Sequence, residues 1–150
     1  MFKRTYDKIN ELLQSRQHDF TSTRVLKEAT KKKDLKILIH CFTGTKKFAF
    51  KLLDLGAYIG LTGWLTDSNR GSHLKDIIKL IPHDRIMIET DAPYLLPRTL
   101  KTKPKNRRCE PMHLNEICEQ VAIRTGKTKG FWAQNTTKNA KTFFSLGTSR

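Results

Sequence analysis

Two short stretches decide the fold: residues 37–44, Ile-Leu-Ile-His-Cys-Phe-Thr-Gly, and residues 85–93, Arg-Ile-Met-Ile-Glu-Thr-Asp-Ala-Pro. Each is a brief apolar run that reaches a metal-competent side chain and then breaks at Gly or Pro. Side chains alternate between the two faces of a strand, and this parity places His40 and Asp91 on the inner face. In parallel β/α proteins, ligands collect at the carboxyl ends of the strands. We therefore predict that the two side chains lie close together at that edge.

The rest of the chain alternates strand-like and helix-like segments. Strands are predicted at residues 36–40, 57–62 and 86–90, in this order, as a parallel sheet with helices on its outer face only. Helices are predicted at residues 6–13, 20–30, 46–55, 73–80, 112–125 and 128–144. Ser72 is the expected cap of the fourth helix. This alternation is typical of the α/β class, built from parallel βαβ units.

The composition favours a polyanionic partner. The 150 residues include 29 Lys and Arg against 14 Asp and Glu, a formal net charge of +15. Such an excess is typical of proteins that bind nucleic acid or an anionic membrane surface, although solvated lysine-rich helix faces produce the same composition. No apolar run reaches the roughly 20 residues of a membrane span. The basic start, residues 1–4, is not followed by the apolar segment of a signal peptide.

The cysteines give no sign of a disulfide framework or a zinc knuckle. Cys41, Cys109 and Cys118 are odd in number and have no Cys-x-x-Cys spacing. They are expected to be reduced thiols, as in a cytoplasmic protein. Cys41 directly follows His40, but no base is positioned to activate it, and we do not expect it to act as a nucleophile.

Other side chains around these stretches each have a structural and a functional interpretation. An inward-facing Glu89 needs a partner, since an unpaired buried carboxylate is costly; Arg98, Arg107 and Arg108 are candidates, and they could instead bind substrate phosphates. Trp64 and Tyr94 lie in loops after strand ends, where they could stack on bases or pack over the sheet edge. The pair Glu110-Pro111 is typical of a helix start, and His113 is expected on that helix's surface.

Four ordered motifs resemble the TatD family of metal-dependent deoxyribonucleases. They lie at residues 40–45, 58–64, 88–97 and 106–114. The resemblance implies a TIM-barrel hydrolase of the amidohydrolase-like type that cuts DNA with a divalent metal pair. A full barrel takes roughly 250 residues, and the resemblance covers about its last three β/α units. It implies a partial barrel at residues 35–150, preceded by a poorly matching helical segment at residues 1–34.

The resemblance also assigns roles to residues. His40 matches a metal ligand, and Asp91 matches the aspartate that contacts metal and orients or deprotonates the attacking water. The implied cofactor is magnesium or a similar divalent ion in a two-metal site. The family's N-terminal histidine pair and bridging glutamate have no counterpart in this chain, which begins after them, and a further histidine ligand is matched by Gln14. His18 lies nearby and could substitute for it.

Three hypotheses of function follow. The chain could be a TatD-like nuclease that hydrolyses phosphodiester bonds in DNA. It could be a non-catalytic nucleic-acid binder that uses the basic loop at residues 101–108. It could also be a catalytically incompetent product of a truncated or split gene. Three strands cannot close a barrel, so apolar side chains such as Leu38, Tyr58 and Met87 would be exposed. Such a chain is expected to self-associate or to pair with a separate N-terminal fragment.

Overall fold

A computed structural model of the chain describes residues 35–147. These residues form a three-stranded sheet of β1 (Leu38–Ile39), β2 (Tyr58–Leu61) and β3 (Ile86–Ile88), in the order β1-β2-β3. Both pairings are parallel. The predicted strand order and direction are confirmed. The helices predicted at residues 6–13 and 20–30 lie outside the described residues, as do Gln14 and His18.

Helices connect the strands and follow them. Helix α1 (Lys46–Asp54) lies between β1 and β2, and α2 (Leu74–Ile77) lies between β2 and β3. Helices α3 (Leu114–Thr125) and α4 (Lys129–Phe143) follow β3. Single 3₁₀ turns occur at Gly63–Thr66, Ile78–Leu80, His83–Arg85 and Pro111–His113. The arrangement is α/β, with three parallel strands and helical connections between them.

The helix predicted at residues 73–80 is shorter than expected. It is α-helical only from Leu74 to Ile77 and then tightens into a 3₁₀ turn. Ser72 is not its cap: the capping position is His73, which makes no side-chain hydrogen bond to the helix. Leu74, Ile77 and Ile78 are all buried. Burial of these apolar side chains therefore holds the segment in place, although its backbone continues as a 3₁₀ turn instead of an α-helix.

The core lies between the sheet and the helices. Ile59, Leu61 and Ile86 point into it and are almost fully buried. Helix α1 contributes Phe48, Ala49 and Leu52, and α3 contributes Cys118, Val121 and Ala122. Apolar burial of this kind is the main favourable contribution to folding. It fixes the strand ends that carry the candidate site.

The opposite face of the sheet is better covered than predicted. Tyr58 and Met87 are 9% and 6% exposed, and only Leu38 of the three expected residues remains half-buried. The Tyr58 ring meets Phe143 edge-on at 5.4 Å between centroids, and the Arg85 guanidinium lies over it. The expected exposure of Tyr58 and Met87 is therefore wrong, and for Tyr58 the reason is that the end of α4 covers its ring.

Helix α4 begins at a side-chain cap that can be tested. The Thr128 hydroxyl accepts a hydrogen bond from the Phe131 backbone N–H at 3.1 Å. We expect Thr128→Ala to lower the free energy of unfolding by about 1 kcal/mol, because the substitution leaves that N–H without its partner. Urea denaturation followed by circular dichroism measures the change. Thr137→Ala, an exposed position on the same helix, is the matched control and should not destabilise the chain.

Candidate metal and nucleic-acid site

The site is built at the carboxyl edge of the sheet. His40 directly follows β1, and Asp91 lies three residues after β3, in a turn closed by the Tyr94 N–H donating to the Asp91 carbonyl at 2.7 Å. The His40 Nε2 and Asp91 Oδ1 atoms are 3.0 Å apart. The predicted proximity of these two side chains is confirmed. Strand parity and parallel pairing bring them together, since both strands end at the same edge.

Glu89 lies on the other side of the His40 ring. Its Oε1 atom is 2.9 Å from His40 Nδ1 and accepts a hydrogen bond from the Cys41 backbone N–H at 2.7 Å. Cys41 has a φ of 51°, in the left-handed region, where the chain turns at the end of β1. The partner of Glu89 is thus the histidine, and the expected pairing with Arg98, Arg107 or Arg108 is wrong.

Both carboxylates act on the electrostatics of His40. Burial lowers the pKa of the imidazole, but the hydrogen bond to Glu89 and the negative charges of Glu89 and Asp91 outweigh it and raise the pKa above its usual value. The His40 side chain is 62% exposed, whereas those of Glu89 and Asp91 are 20% and 19% exposed. The edge therefore presents two carboxylates beside an accessible ring, an arrangement that favours a cation.

Cys41 has the properties of an inert thiol. Burial is the main cause that raises its pKa to about 12, and the neighbouring carboxylates Asp91 and Glu89 add to it. Its Sγ atom lies 3.2 Å from Thr62 Oγ1. A thiol with this pKa is protonated at neutral pH and is a poor nucleophile. All three cysteines of the chain are free, as predicted.

The donor atoms of His40 and Asp91 fit a divalent cation, although they form only part of its shell. Asp91 Oδ1 is buried and has no hydrogen-bond partner among the residues that the structure describes, so this oxygen is available to a cation. Its 3.0 Å separation from His40 Nε2 matches the roughly 3 Å between adjacent ligands of an octahedral ion such as Mg²⁺. No group of three His, Cys, Asp or Glu side chains within residues 35–147 could hold a metal. Glu89 faces the other ring nitrogen and cannot share that ion.

The residues predicted to bind substrate surround this edge. Tyr94 is 75% exposed, and Arg107 and Arg108 are exposed in the loop that returns to the site. That loop is held there by the Cys109 N–H, which donates to the Pro93 carbonyl at 2.9 Å. Trp64 is half-buried, and the Arg70 guanidinium lies 5.1 Å from its ring centroid. One face of Trp64 is therefore already covered by a cation–π contact.

Two neighbouring residues have structural roles. Arg98 pairs with Asp67 at 3.0 Å and so joins the loop after β2 to the loop after β3. His113 is 9% exposed, and its Nδ1 accepts a hydrogen bond from the Glu110 N–H at 2.8 Å. The expectation that His113 lies on the helix surface is wrong, because its ring closes the helix start. Pro111 occupies the first turn, as predicted.

The sequence motifs and this site geometry agree with one protein family. The sequence model described as TatD related DNase matches residues 13–145. The chain belongs to the TatD-related DNase family. Curated relatives described as 3'-5' ssDNA/RNA exonuclease TatD include a protein of Rahnella sp., 50% identical over 113 residues, and one of Escherichia coli K12, 45% identical over 109 residues. These matches cover 75% and 73% of this chain, and 43% and 42% of the relatives.

Solved TatD structures share the fold. A TatD family hydrolase from Entamoeba histolytica superposes with a TM-score of 0.68 at 26% identity, over 80% of this chain and 45% of that protein. A TatD homologue from Escherichia coli K12 gives a TM-score of 0.70 at 22% identity, over 83% and 46%. The chain thus spans less than half the length of these TatD proteins, and its fold is part of their barrel. None of the helices at residues 35–147 is long and apolar enough to cross a membrane.

Proposed function

We propose that this TatD chain carries two metal ligands and the catalytic carboxylate of a nuclease that hydrolyses phosphodiester bonds in DNA. The observation that supports it most is the 3.0 Å approach of His40 Nε2 and Asp91 Oδ1 at the carboxyl edge of the sheet, where Oδ1 is buried and has no hydrogen-bond partner within residues 35–147. A neutral ring nitrogen and a carboxylate oxygen are common ligands of catalytic divalent ions. The names of the relatives extend the candidate substrates to single-stranded DNA and RNA.

Each side chain has a chemical task in this proposal. When bound, a divalent cation supplies Lewis acidity to water and to a phosphate oxygen. The Asp91 carboxylate would bind the cation and can accept a proton from the attacking water. His40 presents Nε2 and carries its other nitrogen against Glu89. We propose magnesium or a similar ion, in a two-metal site whose other ligands come from outside residues 35–147.

The nucleic acid would lie across the exposed side chains around this edge. We propose that Arg107 and Arg108 contact phosphates and that Tyr94 stacks on a base, since all three are exposed and the Cys109–Pro93 hydrogen bond holds their loops together. Trp64 offers its second ring face, because Arg70 covers only one. Both aromatic side chains stay candidates for base stacking.

A chimera tests the function most directly. Residues 35–145 of this chain would replace the matching part of the Escherichia coli TatD relative, a protein that is 45% identical to this chain over 109 residues. We expect single-stranded DNA cleavage that stops with a chelator. Asp91→Asn in the chimera should reduce the rate by more than the roughly 100-fold that loss of an outer-shell partner costs. Asp76→Asn, at an exposed carboxylate on α2, is the control. Cleavage that survives Asp91→Asn would overturn the proposal.

A non-catalytic nucleic-acid binder is the second candidate. It is favoured by the loop at residues 101–108, where Lys101, Lys103, Lys105, Arg107 and Arg108 are all exposed, and by the net charge of +15. Such binding needs no metal and weakens steeply with salt. A chelator therefore separates the candidates, because it stops nuclease chemistry and leaves charge-driven binding intact.

The salt dependence gives a quantitative prediction. We expect the double variant Arg107→Ala/Arg108→Ala to reduce the slope of log K against log salt by about 1.4, at roughly 0.7 per phosphate contact on a single strand. Fluorescence anisotropy with a labelled oligonucleotide measures it. Lys138→Ala/Lys141→Ala removes the same charge from α4 and should change the slope less. Equal slopes for both double variants would show that the loop is not the binding surface.

We also propose that the missing ligands come from a separate N-terminal fragment or a second copy of the chain. The sheet supports this, because β1 pairs only with β2 among the described strands and Leu35 beside it is 48% exposed. An open strand edge of this kind is a template for pairing. Analytical ultracentrifugation distinguishes monomer from dimer. The free cysteines support the further proposal of a cytoplasmic location.

A further inference from the structure

We propose that Glu89 is a positioning residue, which fixes the ring orientation and tautomer of His40 and thereby sets the affinity of His40 and Asp91 for a divalent cation. The inference rests on the proposed metal site and deepens it. It assigns a role to a carboxylate that does not itself contact the cation. It also explains the glycine at position 60, which leaves room for that carboxylate.

The contacts of Glu89 select one tautomer of His40. Its Oε1 atom lies 2.9 Å from Nδ1, whereas Asp91 Oδ1 on the other side of the ring has no hydrogen-bond partner among residues 35–147, so a ring with a single proton is expected to carry it on Nδ1. Nε2 is then the unprotonated nitrogen, and it lies 3.0 Å from Asp91 Oδ1. The unprotonated nitrogen is the one that binds a metal. A free imidazole ring would rotate or exchange tautomers, and the Glu89 contact prevents both.

The carboxylate is itself held in place. The Cys41 N–H donates to the same Oε1 at 2.7 Å, and this contact uses the left-handed turn of Cys41. The Glu89 N–H donates to the Leu61 carbonyl at 3.0 Å, which continues the β3 pairing. Glu89, which follows β3, therefore links the end of β3 to the end of β1. A rigid outer-shell group of this kind orients its ligand more accurately than a mobile one.

Gly60 provides the space that this carboxylate occupies. A Cβ atom built at position 60 would lie 2.3 Å from Glu89 Oε1, 2.8 Å from Glu89 Cδ and 3.0 Å from the Ile39 carbonyl oxygen. Any other residue at position 60 would therefore push Glu89 away from His40. Gly60 sits in the middle of β2, where glycine costs strand stability. The close approach of the carboxylate gives the glycine a reason to be there.

A purely structural role for Glu89 is the alternative. The carboxylate could join β1 to β3 and have no effect on the ring. No ion pair links Glu89 to a lysine or arginine within residues 35–147, and Arg98 is occupied by Asp67. Within that range, the Glu89 side chain contacts the His40 ring and one backbone N–H, that of Cys41. If Glu89 only joins the strands, its removal should lower stability and nothing else. If it positions the ring, its removal should also change the tautomer of His40.

The test measures the ring and the metal separately. Long-range ¹H–¹⁵N NMR at a pH where the ring is neutral reports which His40 nitrogen carries the proton, without any metal. Mn²⁺ titration reports the affinity. In Glu89→Ala we expect the Nε2-protonated form to appear and Mn²⁺ affinity to fall by roughly 10–100-fold. Glu89→Gln keeps an acceptor and should keep the Nδ1-protonated ring and bind more tightly than Glu89→Ala.

Controls separate the possible failures. Glu119→Ala, on α3, removes a carboxylate paired with Lys129 and should change neither measurement. Gly60→Ala should reproduce Glu89→Ala while Glu89 is still present. An unchanged tautomer and unchanged Mn²⁺ affinity in folded Glu89→Ala would overturn this inference. If the wild-type chain bound no Mn²⁺ at His40, the metal site would be contradicted, and the tautomer alone would still decide the role of Glu89.

Discussion

Gly63→Ala is expected to lower the free energy of unfolding by about 3 kcal/mol, at the upper end of what overpacking costs. A Cβ atom at position 63 would lie 2.0 Å from the backbone oxygen of Leu95 and 3.1 Å from its carbonyl carbon. Both are main-chain atoms, so no side-chain rotation can relieve the clash. The loops after β2 and β3 would have to separate. For a chain of this size, we expect the melting temperature to fall by roughly 6–12 °C.

The matched control is Gly130→Ala. Position 130 lies in the first turn of α4, and its Cβ would have Thr128 Oγ1 as its nearest neighbour at 4.0 Å. Alanine is the better helix former, so this variant should be stabilised by up to about 1 kcal/mol. Differential scanning calorimetry of both variants measures the contrast. A Gly63→Ala variant as stable as wild type would show that the two loops do not pack as described.

The second large effect concerns activity. We expect the purified 150-residue chain, by itself, to show no appreciable chelator-sensitive cleavage of single-stranded DNA. The described residues offer only His40 and Asp91 to one cation, and metal affinity depends on ligand count and an ordered outer shell. A two-metal site needs several ligands to hold both ions in place. An end-labelled oligonucleotide with Mg²⁺ or Mn²⁺, resolved on a denaturing gel, measures it.

A positive result would have a specific meaning. Cleavage by homogeneous protein that is abolished by His40→Ala and by Asp91→Asn would contradict the expected inactivity. It would imply that a second copy of the chain, or residues outside 35–147 such as His18, completes the site. His83→Ala removes an exposed histidine in the 3₁₀ turn before β3 and is the control for contaminating nuclease. Cleavage unaffected by all three substitutions would come from a contaminant.

The main features of the fold could be predicted from short-range patterns. Alternating apolar residues gave the three strands, and the helical connections required them to be parallel. The same parity placed His40 and Asp91 together, and the structure brings them within 3.0 Å. These predictions succeed because strand parity and parallel pairing are local rules. The family resemblance named the same two residues on independent grounds.

Other features depend on contacts that no local pattern shows. The partner of Glu89 is His40 because a left-handed turn at Cys41 directs its N–H to the carboxylate, and this backbone conformation is uncommon for a cysteine. The burial of Tyr58 depends on Phe143, which is 85 residues later in the chain. The one available signal was the glycine at position 60, since an isolated glycine in a strand often marks a close approach.

The central claim is that His40 and Asp91 bind one divalent cation, and paramagnetic broadening by Mn²⁺ tests it even when binding is weak. In ¹H–¹⁵N spectra of the 150-residue chain, substoichiometric Mn²⁺ should first broaden the amide signals of residues 40–41 and 89–92. The effect should disappear in His40→Ala and in Asp91→Asn and persist in His83→Ala. Broadening centred elsewhere, or unchanged in both site variants, would contradict the account.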